Sequence, residues 1–199
     1  MKEKLSGINK PLEEQIDILK QILLTNKKLI KILEILEQEG IENCYIGGGS
    51  INQTVFNYYH DYDADYGIKD YDIVYYDLDT SYEKEDIIIK KLEKRLKPLN
   101  VLVDIKNQAR VHIWYYEKFG IKRTPYTSVE DAISSWTTTI TCIGVKLEKG
   151  QIIICAPYGL NDIFNMELKP VKKNQTKEIY NKKTKEWMSK WPKLTKIDW

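Results

Sequence analysis

The chain has 199 residues, of which 42% are hydrophobic and 30% are charged, and its formal net charge is +2. This composition is typical of a folded globular domain and excludes a low-complexity chain. The near balance of 31 basic and 29 acidic residues neither indicates nor excludes a nucleic-acid partner. We expect a single domain over residues 1–199. It comprises a helical N-terminal segment at 1–40, a sheet-containing core at 41–168, and a C-terminal helix and tail at 169–199.

The N-terminus, the apolar runs and the cysteines together predict a cytoplasmic protein. Residues 1–10 lack the apolar segment of a signal peptide, and no apolar run approaches the roughly 18 residues that a membrane span needs. Cys44, Cys142 and Cys155 lie far apart in apolar runs and lack the spacing of a zinc site. We expect them to be buried, reduced thiols and expect no membrane partner.

Residues 11–40 carry leucine and isoleucine at helical spacing, which predicts two consecutive helices. Thr25 or Asn26 is suited to cap the second helix, and Gly40 is suited to end it. The apolar stripe is predicted to be core rather than a partner site.

A short strand at residues 42–46 runs into a glycine turn, and a helix over residues 51–60 follows it. A helix N-terminus offers free N–H groups and a positive dipole end to an anion. Glycine also permits the positive φ of any tight turn, so the turn alone is a weak signal. The phosphate-binding candidates here are Gly48, Gly49 and Ser50.

The next predicted strand, residues 71–76, carries Asp72 and follows Asp70. Because side chains alternate along a strand, these two carboxylates point to the same face. They repel each other unless a cation lies between them, so the pair is either solvated or a metal site. The acidic stretch before them, residues 61–67, resembles the start of a calcium loop. Its glycine and its final ligand do not match that motif, and a mobile acidic loop beside the site is predicted instead.

A third carboxylate, Asp104, lies in the otherwise apolar strand predicted at residues 101–105. Burying a lone carboxylate is costly, so its presence needs a reason. A helix over residues 81–96 connects the two strands, and a strand–helix–strand connection favours adjacent strands. Asp104 is therefore expected beside Asp72. The apolar side chains of the connecting helix that we expect to face inward are Ile87, Ile88, Leu92 and Leu96.

Residues 107–112 place two amides, an arginine and a histidine within six positions. Arg110 is suited to clamp a phosphate with two parallel hydrogen bonds, and His112 to act as a general base or a binding group. A hydrogen-bonded structural corner explains the same residues equally well. Both interpretations remain open at this stage.

The C-terminal part predicts a hairpin and a last helix. Residues 138–147 and 151–155 form the two hairpin strands around Lys149-Gly150, and a short helix is expected at 161–168. The last helix, 177–191, carries aromatic residues that are predicted to pack in the core rather than to stack on bases. The lysines of this region are suited to hold phosphates, but a solvated helix face is the favoured interpretation.

The ordered set of a glycine–serine turn, Asp70-x-Asp72 and a carboxylate on the following strand resembles the DNA polymerase β-like nucleotidyltransferase fold. Further motifs are similar to a bacterial nucleotidyltransferase-like family, and the similarity extends from Leu12 to Trp191. The resemblance implies an α+β fold with a mixed sheet flanked by helices. The motifs that carry it are residues 70–77, 107–114 and 156–162, with Trp187, Trp191 and Pro192.

The resemblance also implies a reaction and a set of site residues. Gly49 and Ser50 would hold the triphosphate of an NTP donor, and Asp70 and Asp72 would bind two Mg²⁺ ions, or Mn²⁺ in their place. Asp104 would bind the catalytic metal and help to deprotonate an acceptor hydroxyl on RNA, on a protein or on a small molecule. That hydroxyl would attack the α-phosphate, and pyrophosphate would leave. The nucleotide-binding candidates are Gly48, Gly49, Ser50, Asn107, Arg110 and His112.

Two departures from the family pattern bear on activity. The family usually has an Arg-Asn pair shortly after the glycine, where this chain has Asn52-Gln53, and the spacing from Ser50 to Asp70 is longer than usual. One alternative is a non-catalytic binding or antitoxin-like module that retains the fold and binds a protein partner. A less favoured alternative is a metal-dependent nuclease, because Asp104-x-Lys106 mimics the carboxylate-x-lysine of a restriction-type core.

Overall fold

A five-stranded mixed sheet forms the centre of the protein. The computed structural model describes residues 4–119, 122–173 and 175–199. The strands of the sheet are β1 Tyr45–Gly47, β2 Tyr71–Tyr75, β3 Val103–Asn107, β4 Gly144–Glu148 and β5 Gln151–Cys155. Their order is β3-β2-β1-β4-β5, in which β2 and β3 are parallel and the other neighbours are antiparallel. A small parallel pair, β6 Glu167–Leu168 and β7 Thr195–Lys196, lies outside this sheet.

Eight α-helices surround the sheet in the described part of the chain. They are α1 Leu12–Leu23, α2 Lys27–Glu39, α3 Gly49–His60, α4 Tyr82–Leu96, α5 Val111–Phe119, α6 Val129–Ile133, α7 Asn161–Phe164 and α8 Lys177–Lys190. Short 3₁₀ turns, Lys97–Leu99 and Gln108–Arg110, precede β3 and α5 respectively. No helix of the described residues has the length and apolarity needed to cross a membrane.

The main hydrophobic core lies on one face of the sheet. Ile46, Ile73 and Ile105 stand in register across β1, β2 and β3, and they pack in one cluster with apolar residues of α1 to α4. Since successive side chains of a strand point to opposite faces, the residues one position away on these strands face the other side. That other face carries a second, smaller apolar cluster with Tyr45 and Val74, and Asp72 lies on the same face, two positions before Val74.

The two N-terminal helices confirm the predicted boundaries. Asn26 Oδ1 accepts a hydrogen bond of 3.0 Å from the N–H of Leu29 and caps α2. Gly40 ends the same helix in the left-handed conformation, with a φ of 64°.

The prediction that Ile87 of α4 faces inward was wrong, because its side chain is 63% exposed while Leu92 and Leu96 are buried. Ile87 precedes Leu92 by five residues, which turns it about 140° away on a helix.

The predicted hairpin is present, but its first strand begins later than expected. β4 and β5 pair around Lys149-Gly150, whose positive φ values of 51° and 73° suit a tight turn. The segment before β4 is not a strand. There the Thr141 hydroxyl donates to the Thr138 carbonyl oxygen at 2.9 Å and accepts from the Thr138 N–H at 3.0 Å. These local hydrogen bonds take the place of ladder hydrogen bonds.

The last helix is fastened to the rest of the protein by aromatic residues. Trp191, directly after α8, is fully buried, and its Nε1 donates to Asn57 Oδ1 on α3 at 2.7 Å. At the other end, the Tyr180 hydroxyl donates to the Leu168 carbonyl oxygen at 2.7 Å. The predicted packing role of these aromatic residues is confirmed, and α8 is tied directly to α3.

The three cysteines are unpaired thiols, as predicted. Cys44 and Cys142 are buried, and Cys155 is partly buried. Burial raises the pKa of Cys44 and of Cys142 to about 12 and that of Cys155 to about 11. Thiols with such pKa values are poor nucleophiles near neutral pH, so their role is packing.

Candidate functional site

The glycine turn between β1 and α3 is shaped by close packing. A Cβ at Gly47 would overlap the ring of Trp136, so only glycine fits there. Gly48 has φ 62° and ψ −129°, a backbone conformation that residues with a Cβ atom rarely adopt. The buried Asn52 amide, with its nitrogen facing the turn, donates to the carbonyl oxygens of Gly48 and Gly49 at 2.6 and 3.0 Å. The turn is therefore rigid.

The N-terminus of α3 leaves backbone donors available at this turn. The N–H groups of Gly49 and Ser50 make no hydrogen bond with any described residue. Gly48 and Gly49, two of the phosphate-binding candidates, line the adjacent cavity. The Ser50 side chain is buried and its hydroxyl donates to the Gly47 carbonyl oxygen at 3.5 Å, so it turns into the protein rather than into the cavity.

The carboxylates lie on the sheet face opposite the core. Gly47 pairs with Asp72, and Asp72 pairs with Asp104, so the three residues form one row across β1, β2 and β3. Asp72 Oδ2 lies 3.3 Å from the position that a Cβ of Gly48 would occupy. The expected adjacency of the glycine turn, the aspartate strand and the third carboxylate is thus present in the fold.

Asp72 is a partly buried carboxylate without a hydrogen bond or ion pair to any described residue. Burial, together with the negative charges of Asp70 and Asp104, raises its pKa to about 6, while the positive charges of Lys106 and Lys183 partly oppose this rise. A carboxylate in this environment is destabilised when it is ionised. A cation bound next to it would remove that destabilisation.

The fit to a divalent cation depends on Asp104. Asp70 and Asp72 line the cavity, whereas the half-exposed Asp104 is ion-paired with Lys106. Among the described residues, no three acidic, histidine or cysteine side chains already form a metal-binding group. The oxygen donors nevertheless suit Mg²⁺ or Mn²⁺, and the unpartnered, repelled carboxylate of Asp72 is the group that such an ion would neutralise. A complete ligand set requires Asp104 to separate from Lys106.

A cavity of about 540 Å³ lies above this row. Its lining includes Gly48 and Asp72, aromatic residues around α5 and α6, and one face of α8. Two lining residues carry buried polar atoms without a partner among the described residues, Gln53 Oε1 as an acceptor and Trp114 Nε1 as a donor. Its aromatic lining residues are Trp114, Tyr115, Tyr126, Trp136 and Trp187.

The structure does not bring Asn107, Arg110 and His112 to the cavity lining. Asn107 Oδ1 accepts hydrogen bonds from the N–H groups of Asp77 and Ala109 at 3.0 and 3.1 Å. Arg110 forms an ion pair with Glu85, and both side chains are only 12% exposed. These contacts are those of the structural corner that the sequence left open. The Nδ1 of His112 is buried without a partner among the described residues.

Several cavity-lining residues were not assigned to this site from the sequence, and Lys106 entered only through the nuclease alternative. Lys106 lies two positions after Asp104 on the same strand face, and this alternation was a usable signal. Lys183 lies four residues before the core residue Trp187, and Lys190 lies three residues after it. Residues three or four apart lie on the same side of a helix, so this spacing was also a usable signal. Trp136 carried no distinguishing local pattern, and Trp114 ended the motif at residues 107–114 without being singled out as a site residue.

Comparison with known proteins gives one family and one solved structure. A family model described as nucleotidyltransferase matches residues 34–196. A structure solved by NMR and described as revealing a CCA-adding enzyme head domain is 24% identical, with a TM-score of 0.72, and the match covers 97% of this chain and 100% of that chain. No curated protein matches. At this identity the structural likeness shows the fold alone, and it confirms the expected α+β architecture.

Proposed function

Because the chain belongs to a nucleotidyltransferase family, we propose that it transfers an NMP group from an NTP to a hydroxyl acceptor in a metal-dependent reaction. The observation that carries this proposal is the row of Gly47, Asp72 and Asp104 across three adjacent strands. That row puts a turn with free N–H groups beside a partly buried carboxylate in one cavity. A phosphate and a divalent cation are the ligands that suit such neighbours.

On this proposal Asp70, Asp72 and Asp104 hold two divalent ions, Mg²⁺ or Mn²⁺. When bound, such ions neutralise phosphate charge and activate the attacking oxygen. The N–H groups of Gly49 and Ser50 hold phosphate oxygens of the NTP. Asp104 separates from Lys106 and takes up the proton of the acceptor hydroxyl.

The reaction is an in-line displacement on the α-phosphorus. The acceptor oxygen forms a bond to that phosphorus, the bond to the oxygen that bridges to the β-phosphate breaks, and pyrophosphate leaves with the bonding electrons. The aromatic lining supports a place for the nucleobase, because Trp114, Tyr126 and Trp136 all line the cavity and aromatic rings can stack on bases. The acceptor is RNA, a protein or a small molecule, and label transfer decides among them.

A non-catalytic binding module that retains the fold is the second candidate. The observation that favours it is the ion pair between Asp104 and Lys106, which occupies one of the proposed metal ligands. Such a module would act through a protein partner and would not release pyrophosphate.

Calorimetric titration with each of the four NTPs, in Mg²⁺ and then in EDTA, tests the proposal. We expect Mg²⁺-dependent binding to the native protein and none to Asp72→Asn. Asp63→Asn is the matched control, since Asp63 is exposed and makes no ion pair with a described residue. NTP labelled at the α-phosphate is then mixed with RNA, protein and small-molecule fractions. Label transfer with pyrophosphate release supports catalysis; tight NTP binding without either favours the binding module, and DNA cleavage without NTP would favour a nuclease.

A further inference from the structure

Helix α3 brings no cation to the glycine turn. Its sequence from Gly49 to His60 contains no lysine or arginine, and its first turn holds Asn52 and Gln53. A helix N-terminus contributes the equivalent of only about half a positive charge. A triphosphate carries several negative charges, so another element must balance them if one binds here.

Helix α8 presents two basic side chains to the cavity, which Lys69, Lys106 and Arg123 also line. Lys183 and Lys190 both line it. Lys190 is ion-paired with Glu186 at 3.2 Å, and Lys69 from the loop before β2 is paired with the same carboxylate at 2.8 Å. Lys183, in contrast, is exposed and makes no hydrogen bond or ion pair with any described residue. Its positive charge acts on Asp72, whose pKa it lowers against the effect of burial.

The position of α8 relative to the glycine turn is held by buried contacts. Trp191 Nε1 donates to Asn57 Oδ1 at 2.7 Å, and the Trp191 ring lies 5.5 Å from that of Phe56, centroid to centroid. Asn57 and Phe56 belong to α3, the helix that the glycine turn opens. The packing of the core therefore fixes the distance between the backbone of α8 and the glycine turn. Only the side chain of Lys183 needs to reorient to contact a ligand at the turn.

We propose that Lys183 binds the β- and γ-phosphates of the NTP whose phosphates also contact the glycine turn, so that α8 provides the cation absent from Asn52-Gln53. The inference rests on the proposed function, because the ligand is the NTP donor. A lysine ammonium has three donors and a compact charge, and phosphate oxygens accept charge-assisted hydrogen bonds from it. Lys183 is a binding residue here and takes no part in proton transfer.

The test compares the NTP and the NMP of the base that the native protein binds best, by calorimetry in Mg²⁺. We expect Lys183→Met to weaken NTP binding about ten- to hundredfold, the range of a lost hydrogen bond to a charged group. NMP binding should change less than about threefold, since an NMP has no β- or γ-phosphate, and Lys183→Arg should retain most of the NTP affinity. Lys185→Met removes the same charge from the same helix. Lys185 does not line the cavity, so this control should bind as the native protein does.

Three outcomes overturn the inference. Equal NTP affinity of Lys183→Met and Lys185→Met overturns it and leaves the proposed function standing. Equal loss of NTP and NMP affinity overturns it too, because Lys183 would then act through Asp72 rather than on the outer phosphates. Absence of NTP binding by the native protein overturns both proposals. Circular dichroism establishes folding of each variant, with Lys183→Gln as a second neutral substitution.

Discussion

Asp72→Asn should stabilise the metal-free protein while it removes the proposed activity. The side chain of Asp72 is destabilised when ionised, because burial and the charges of Asp70 and Asp104 raise its pKa to about 6. The ordinary pKa of an aspartate is about 3.9, and one pKa unit corresponds to about 1.36 kcal/mol. Ionised Asp72 therefore lowers the free energy of unfolding by about 2–3 kcal/mol near pH 7, and an uncharged asparagine of similar shape should recover most of it.

The pH dependence gives the sign of this effect. Between about pH 4 and pH 6 the folded protein binds a proton at Asp72 that the unfolded chain does not bind, so the free energy of unfolding rises as the pH falls through this window. Below about pH 4 the side chain is protonated in both the folded and the unfolded state, so its ionisation costs the folded protein no stability. This stability is lost as the pH rises through about 6, where Asp72 ionises in the folded protein. The variant lacks this group, so the stability difference between the two proteins should shrink from about 2–3 kcal/mol at pH 7.5 to near zero below about pH 4.

Urea unfolding in EDTA, followed by circular dichroism at pH 7.5, 6.0 and 4.0, measures the difference. Titrating groups distant from Asp72 are shared by the two proteins and cancel in the comparison, whereas Asp70 and Asp104 interact with Asp72 and contribute to the measured difference. Asp63→Asn should not differ from the native protein. An Asp72→Asn protein that is less stable at pH 7.5, or a difference that does not depend on pH, would refute the account of Asp72 as an ionised, partly buried and uncompensated carboxylate.

Three further substitutions test the turn, the corner and the last helix by urea unfolding. Gly48→Ala should cost about 1–3 kcal/mol because a non-glycine residue is strained at a φ of 62°, and it should weaken NTP binding; an unchanged midpoint would contradict the strain. Arg110→Met should lower the free energy of unfolding by about 3–5 kcal/mol, since it leaves Glu85 unpaired in a mostly buried position. NTP affinity should stay unchanged, and a loss of affinity without a loss of stability would indicate that Arg110 binds the NTP. Trp191→Phe should cost about 1–3 kcal/mol because Asn57 Oδ1 loses its donor, and native-like stability would show that this hydrogen bond does not fasten α8.

The local elements and the central carboxylates could be predicted because their signals are short-range. Asn26 and Gly40 delimit α2 through capping and a positive φ that depend on a few neighbouring residues. A strand–helix–strand connection brought Asp104 beside Asp72, and the parallel pairing of β2 and β3 places them in direct register. The face to which Asp72 points follows from alternation with the core residue Ile73.

The role of the corner residues could not be predicted, because their partners come from distant positions. Arg110 pairs with Glu85, which lies on α4, and Asn107 Oδ1 binds the N–H of Asp77. A sequence pattern shows that an arginine and an amide are present; it does not show that a carboxylate and a backbone donor will meet them. The same limit hid Lys183, whose helix looked like a solvated face until its packing was known.

The sequence by itself determined the helices α1 to α4, the strands β1 to β3, the glycine turn and the family to which the motifs pointed, because periodicity, capping and turn chemistry act over a few residues. It did not reveal helix α5 or the strand pair β6 and β7. Only the tertiary structure decided which side chains share the cavity. It placed Lys183 of α8 among the lining residues with Asp72, and it paired Arg110 with Glu85 outside them. The physical reason is that such neighbours are set by the packing of the core around Trp191 and the isoleucines of the sheet, and that packing joins residues far apart in the chain.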